Sequence, residues 1–211
     1  MKAILSALRI IREFRRAYIV LNLVYYGLVI FGMICVVFNP SLQQLLLDAV
    51  GSAFTEGPLS TVAAAYGGGQ VLLAIVFTFV VNLTIASFLW ITLPSLVIPF
   101  SGLVTGACRA VLWGLLLSPS SPEMRIVMIP HSLTLILEGQ AYILAMLAAY
   151  VQGRAFLWPA TVDATTHTQG YWAGVKRSVR LYLLVAIVLA AAAVYEVLEV
   201  VFIIPLLGGM R

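Results

Sequence analysis

Residues 71–93 read VLLAIVFTFVVNLTIASFLWITL, twenty-three consecutive positions without a charged side chain. As an α-helix this stretch would be about 34 Å long, enough to cross a hydrocarbon layer about 30 Å thick. Composition extends the same reading to the whole chain. Apolar types make up 63% of the 211 residues and charged types 9%, against about 45–50% and about 25% in soluble globular proteins. No core hides that excess, and in water it would form an apolar patch far larger than soluble proteins carry. The expected fold class is therefore all-α, a polytopic membrane helix bundle spanning the cell (plasma) membrane several times, with the lipid bilayer as its first partner.

Working outward from 71–93, comparable apolar runs give spans at about 17–39, 95–117, 126–152 and 181–204, five in all, within a single transmembrane bundle over 17–204. The run at 95–117 is interrupted by Pro99, Gly102, Gly106 and Gly114, which predicts a kinked or partly re-entrant segment. Residues 205–211 form a short tail. Residues 41–70 read as the longest loop on their side, with an amphipathic stretch from Leu42 to Phe54 and turn chemistry at Glu56-Gly57-Pro58 and Gly67-Gly68-Gly69.

The segment 1–16 carries Ile4, Leu8 and Ile11 on one helical face and Arg9, Arg12 and Arg16 on another. That pattern fits a cytoplasmic interfacial amphipathic helix, the other reading being the basic end of the first span. A cleaved signal peptide is excluded by the length of the apolar run from Ala17 to Phe38 and the lack of a small-x-small site after it. Five basic residues precede the first span, and Arg154, Lys176, Arg177 and Arg180 lie between the fourth and fifth, beside Trp158, Tyr171 and Trp172. Only Arg125 and Arg211 fall on the other side, so nine basic residues against two place the N-terminus inside and the C-terminus outside. Asp48, Glu56 and Glu123 then lie outside.

The net charge of +4 is concentrated beside apolar runs and so reads as membrane anchoring, with no nucleic-acid partner implied. Cys35 and Cys108 sit within apolar segments without a Cys-x-x-Cys spacing, and two free, buried thiols are expected, with no metal or cofactor site. No internal repeat of the kind found in many transporters is present.

The polar residues inside the spans are the informative ones, because each charged group costs about 2.5–3.5 kcal/mol on insertion scales unless it is paired or wet. His131, Thr134, Glu138 and Tyr142 recur at three- and four-residue spacing, which stacks them on one helical face. Glu196 and Glu199 offer a second acidic stripe on the last span, with Tyr195 close by, Arg109 stands in the third span, and Asn82 adds an amide in the second. This intramembrane polar cluster is read in three ways: a structural group fixing helix register, a site for an ion, proton or polar ligand, or a catalytic centre. His131 and Glu138 alone could form an acid/base pair, but no His-Glu-x-x-His or Gly-x-Ser-x-Gly is present and no nucleophile, metal or oxyanion donor is identified, so no enzyme is expected. A lone Arg at this depth predicts a salt bridge from Arg109 to Glu138, Glu196 or Glu199, with Glu138 favoured across the short break at 118–125. His167, in a Thr-rich loop, reads as solvated. Gly102-x-x-x-Gly106, with Cys108, and the alanines at 141, 145, 148 and 149 are expected to let helices approach closely.

With these residues in view, about residues 75–206 resemble the stage II sporulation protein M family of multispanning membrane proteins. The likeness lies in the order of Asn82, the pair Ser101-Gly102, the run Ile129-Pro130-His131-Ser132, then Glu138 and Ala141-Tyr142-Ile143-Leu144-Ala145, and finally Glu199 before Pro205. The family pattern is Pro-His-Gly with a Glu one turn later. Here Ser132 stands for the Gly and Glu138 lies two turns beyond His131. The resemblance implies a membrane scaffold that recruits partner proteins, among them enzymes that remodel peptidoglycan during sporulation. Protein partners or self-association are expected on this reading. The other function class left open is a transporter or permease-like subunit, with His131, Glu138, Glu196 and Glu199 along a polar path for an ion, a proton or a small solute.

Overall fold

The structure is a computed structural model that describes residues 2–56 and 60–208. These residues form eight helices, one further 3₁₀ turn at Pro159–Val162 and no strand: α1 (Lys2–Glu13), α2 (Arg15–Phe38), α3 (Ser41–Thr55), α4 (Ser60–Gly67), α5 (Val71–Val97), α6 (Ser101–Leu116), α7 (Pro122–Leu157) and α8 (His167–Gly208). Four of them, α2, α5, α7 and α8, are long and apolar enough to cross a membrane. The remaining expected span, α6, is apolar but only 16 residues long.

Helix α7 is the axis of the bundle. Its most apolar window is 72% buried inside the protein, whereas those of α2, α5 and α8 are 22–28% buried, so the other spans wrap one helix and present most of their own surface outward. Sequence explains both its start and its packing. Ser121 caps the first turn by accepting from the Met124 amide at 3.2 Å, Pro122 occupies the first position, and Glu123 lies in the first turn. Further along, Ala141, Ala145, Ala148 and Ala149 are fully buried and admit α8 at close range.

Several element boundaries differ from those expected. Helix α5 runs on to Val97, and the chain then turns through Ile98 to Phe100, so α6 starts at Ser101 and is an unbroken helix, not a kinked one beginning at residue 95. Phe100 adopts a left-handed conformation (φ 68) that a phenylalanine rarely occupies. Its ring is held between Tyr150 and Trp158, with centroids 5.9 and 6.3 Å away, and lies against Gly153, where a side chain would intrude. Helix α8 begins at His167, with Thr166 as its cap, so much of the stretch expected between the fourth and fifth spans is a helical extension of the last span.

The segment expected as an outer loop departs most. Helix α3 starts at the end of the bundle that carries the 117–121 connection, where the Gln43 amide donates to the Leu116 and Ser118 carbonyls at 2.8 Å each. From there it descends along the bundle, with Leu46 and Val50 beside Trp90 and Arg109. Helix α4 returns against α5, with the Tyr66 hydroxyl 2.9 Å from that of Thr78. Together they make an inward helical hairpin. Residues 57–59, including the expected Gly57-Pro58 turn, and residues 209–211, including Arg211, lie outside the described residues.

At the opposite end α1 folds back from α2 at Phe14 and packs on α8 through Ala7 and Ile10, while Glu13 pairs with Arg177 at 2.7 Å. Ile4 and Leu8 remain exposed on its outer side.

Helices α2 and α6 meet backbone to backbone. A Cβ at Gly114 would collide with the Val29 carbonyl, and one at Gly32 would press on the Val111 carbonyl and the Leu115 amide. Gly102 instead faces α5 and Gly106 faces Met146 of α7, so the glycine motif of α6 packs within the chain. Gly114→Ala is expected to destabilise the protein by about 1–3 kcal/mol, the range for overpacking. Gly27→Ala, where nothing lies within 4 Å, should be neutral or slightly stabilising. Unfolding midpoints of the two variants in mild detergent would check this, and equal midpoints would refute the contact.

Candidate functional site

The polar side chains of the spans gather in two bonded groups on α7. In the first, His131 Nδ1 contacts Glu199 Oε1 and the Thr134 hydroxyl donates to Glu199 Oε2 at 2.7 Å. Glu199 and Thr134 are completely buried, and His131 is partly exposed. One turn deeper, Glu138 accepts from the Asn82 amide at 2.6 Å through Oε1 and from the Tyr142 hydroxyl at 2.9 Å through Oε2. Tyr142 also lies 3.1 Å from Asn82 Oδ1 and accepts from Arg109 Nη2 at 2.9 Å. Its single proton serves Glu138 or Asn82 at any instant, so the phenol is the node through which four helix-borne groups meet.

Arg109 therefore does not bond Glu138 directly, as its expected salt bridge required. The guanidinium reaches the carboxylate through Tyr142 and stacks 4.3 Å from the Tyr142 ring centroid and 5.2 Å from that of Trp113. The reason is register. Gly106 of α6 lies against Met146 of α7, so Arg109, about one turn further along the antiparallel α6, comes level with Tyr142 and not with Glu138. Glu138 lies one turn nearer the 117–121 connection, and the Tyr142 hydroxyl, leaning toward the N-terminus of α7, spans the difference.

Glu196 stands apart from this pairing. Its Oε2 has no hydrogen-bond donor among the described residues, and the group it faces is the Glu138 carboxyl. Two carboxylates side by side repel unless a proton, a cation or water lies between them. Glu196 also lines a cleft of about 440 Å³ between α4, α5 and α8, with Tyr66, Thr78 and Asn82 as its other polar walls. The acidic stripe thus splits, with Glu199 turned into the core and Glu196 turned toward an opening.

A local backbone feature accompanies each anchor. Asn82 is the first residue of a stretch of π-helix, Asn82–Thr92, and Glu199 is the first of another, Glu199–Ile203. In such turns each amide bonds five residues back, which widens the helix and rotates the side chains that follow, and they are frequent at functional sites. The Ser87 hydroxyl donates to the Asn82 carbonyl at 2.9 Å and helps to satisfy the widened turn.

One further feature was not singled out by sequence reasoning. Gln140 of α7 accepts from the Tyr18 hydroxyl at 2.6 Å and donates to Asn22 Oδ1 at 2.7 Å and to the Tyr26 hydroxyl at 3.1 Å, tying α2 to α7. Gln140 follows Glu138 by two residues, about 200° around α7, and the spacing of Tyr18, Asn22 and Tyr26 by four was the available signal. Tyr195, expected near the acidic stripe, donates to the Pro130 carbonyl at 3.1 Å. His167 lies outside the cluster, exposed at the start of α8, with Nδ1 2.7 Å from the Phe156 carbonyl. The two cysteines, expected to be buried, are not: Cys35 is partly exposed and Cys108 is exposed, because both lie on outward faces of their helices.

No family model, curated protein or solved structure matches the chain.

Tyr142→Phe removes one oxygen and leaves both an Arg109 nitrogen and a Glu138 oxygen without a partner. The expected loss is about 1–3 kcal/mol in folded stability, the range for an orphaned buried polar group. Combined with Glu138→Gln, the two losses should be less than additive, with a coupling of about 0.5–3 kcal/mol in a double-mutant cycle. Strict additivity would show that the node is not energetically real.

Proposed function

We propose that this chain is an integral scaffold or assembly component of the cell membrane that recruits partner proteins through its outer helical faces and the α3–α4 hairpin. The supporting observation is that the intramembrane charges are largely bonded to one another. His131, Thr134 and Glu199 close one group, and Asn82, Arg109, Glu138 and Tyr142 close the other. Such pairing fixes the register of α5, α6, α7 and α8 and leaves an apolar exterior, with Leu23, Val37, Leu72 and Val97 each more than 70% exposed. On this reading α6 is a fifth, short crossing, the N-terminus is cytoplasmic and the C-terminus outside, as the excess of basic residues favours. The Glu13–Arg177 pair supports this arrangement, because it joins the two basic segments at one end of the bundle. The α3–α4 hairpin is then re-entrant from the outer side. Resemblance to stage II sporulation protein M supports partners of the cell-wall remodelling class.

Photo-crosslinking in native membranes from Leu45, an exposed position on α3, tests the scaffold. A discrete, reproducible protein adduct is expected there. A chain that stays folded yet yields only lipid adducts, at Leu45 and along α2 and α5 alike, would end this reading.

Glu196 favours a second reading, a subunit that passes a proton or small cation. The two facing carboxyls and the adjoining cleft are what such a path requires at its narrowest point. Proteoliposomes should then show a cation- or proton-dependent flux that Glu196→Gln abolishes without loss of folded protein. Absence of flux over a panel of monovalent cations and protons would remove it.

A further inference from the structure

At the end of the bundle where α1 turns into α2, four arginines surround one cavity. Arg12 of α1, Arg15 and Arg16 of α2 and Arg154 from the last turn of α7 line a space of about 450 Å³, floored by Phe14 and Tyr150. Its one acid, Glu13, is already engaged by Arg177 at 2.7 Å, so it does not neutralise the group. The Arg154 guanidinium sits 5.5 Å from the Phe14 ring centroid, which holds it at the cavity wall. Among the described residues no carboxylate pairs with any of the four guanidiniums. Gathering like charges costs free energy that solvent lowers and an anion in the shared space would offset. Arginine's planar fork suits the oxygens of a phosphate group.

The surroundings indicate where that phosphate belongs. One turn along α2 from Arg15 and Arg16 lie Ile19 and Val20, 49% and 56% exposed, and a further turn on lies Leu23, 71% exposed. The same end carries the exposed indoles of Trp158 and Trp172, the side chains that favour the boundary between headgroups and acyl chains. Basic above and apolar below is the profile of an anionic lipid.

We propose that Arg12, Arg15, Arg16 and Arg154 form a headgroup site for an acidic phospholipid of the surrounding bilayer, its phosphate among the guanidiniums and its acyl chains along Ile19, Val20 and Leu23. Residues at the opposite end, such as Arg125, take no part.

The experiment uses the full chain in nanodiscs and in delipidated detergent. Native mass spectrometry compares binding of phosphatidylglycerol with that of phosphatidylcholine, and inorganic phosphate and glycerol 3-phosphate serve as headgroup-only probes. Phosphatidylglycerol should bind in preference. The triple variant Arg12→Gln, Arg15→Gln, Arg16→Gln should weaken it on the order of 100-fold, at about a few-fold to tenfold for each basic residue near the surface. Arg125→Gln should leave it unchanged. Raising salt from about 0.1 M to about 1 M, which shortens the screening length from about 10 Å to about 3 Å, should reduce the preference in the unmutated protein and so tests the site independently of whether the variants fold. Equal binding of the two lipids, or a preference insensitive both to salt and to the arginine changes, would overturn the proposal. Binding of inorganic phosphate as tight as that of phosphatidylglycerol would overturn the lipid assignment in favour of a soluble anion.

Discussion

Hydrocarbon offers no hydrogen bonds, so a polar group carried into it must find its partner on a neighbouring helix. In this bundle most such groups ride on α7 or point at it. Glu138 is almost fully buried yet bonded at both oxygens, once from α5 and once from its own helix, and Arg109 of α6 joins through the same phenol. This constraint dictates the architecture. Helix α7 has to be central, since only there can α5, α6 and α8 all reach it. The outer spans, relieved of polar obligations, expose Leu, Val, Ile and Phe to their surroundings.

The two stretches of π-helix follow from the same demand. A regular helix fixes side-chain directions at about 100° per residue, and that spacing need not bring Asn82 and Glu199 both onto α7. Widening the helix from each of these residues onward shifts the rest of it relative to its anchor. Thus Asn82 meets Glu138 while Ser87, Ile91 and Thr92 further along α5 remain buried. At the other end of the network Glu199 meets His131 and Thr134, and Glu196, three residues earlier, is left turned toward the cleft.

Much of this was legible in the sequence, in so far as it depended on local pattern. Apolar runs located the long helices, and the spacing of His131, Thr134, Glu138 and Tyr142 set them on one face of α7. What escaped depended on contacts between distant residues. The boundary between α5 and α6 was misplaced because the break is made by Phe100 in a left-handed conformation, held there by Tyr150, Gly153 and Trp158 from another helix. Residues 41–70 read as an outer loop because their polar and glycine content is high. Nothing local indicated that Gln43 would anchor α3 to the end of α6 or that Tyr66 would meet Thr78. Arg109 drew attention as a charge seeking a charge, while its actual partner was a phenol already on the list of polar residues.

The chain order of the network has a consequence for how the protein is made. Helix α7 is the least apolar of the four long helices and carries most of the polar load, so alone it is the poorest candidate to leave an aqueous insertion channel for lipid. By the time it is synthesised, Asn22, Asn82 and Arg109 have already been translated on α2, α5 and α6. Gln140 and Glu138 thus emerge to partners that are waiting. His131 and Thr134 have no such provision, because Glu199 comes last, near the end of α8. The polar face of α7 is thus satisfied in two stages, first by helices that precede it in the chain and then by α8, which must be in place before His131 and Thr134 find their carboxylate.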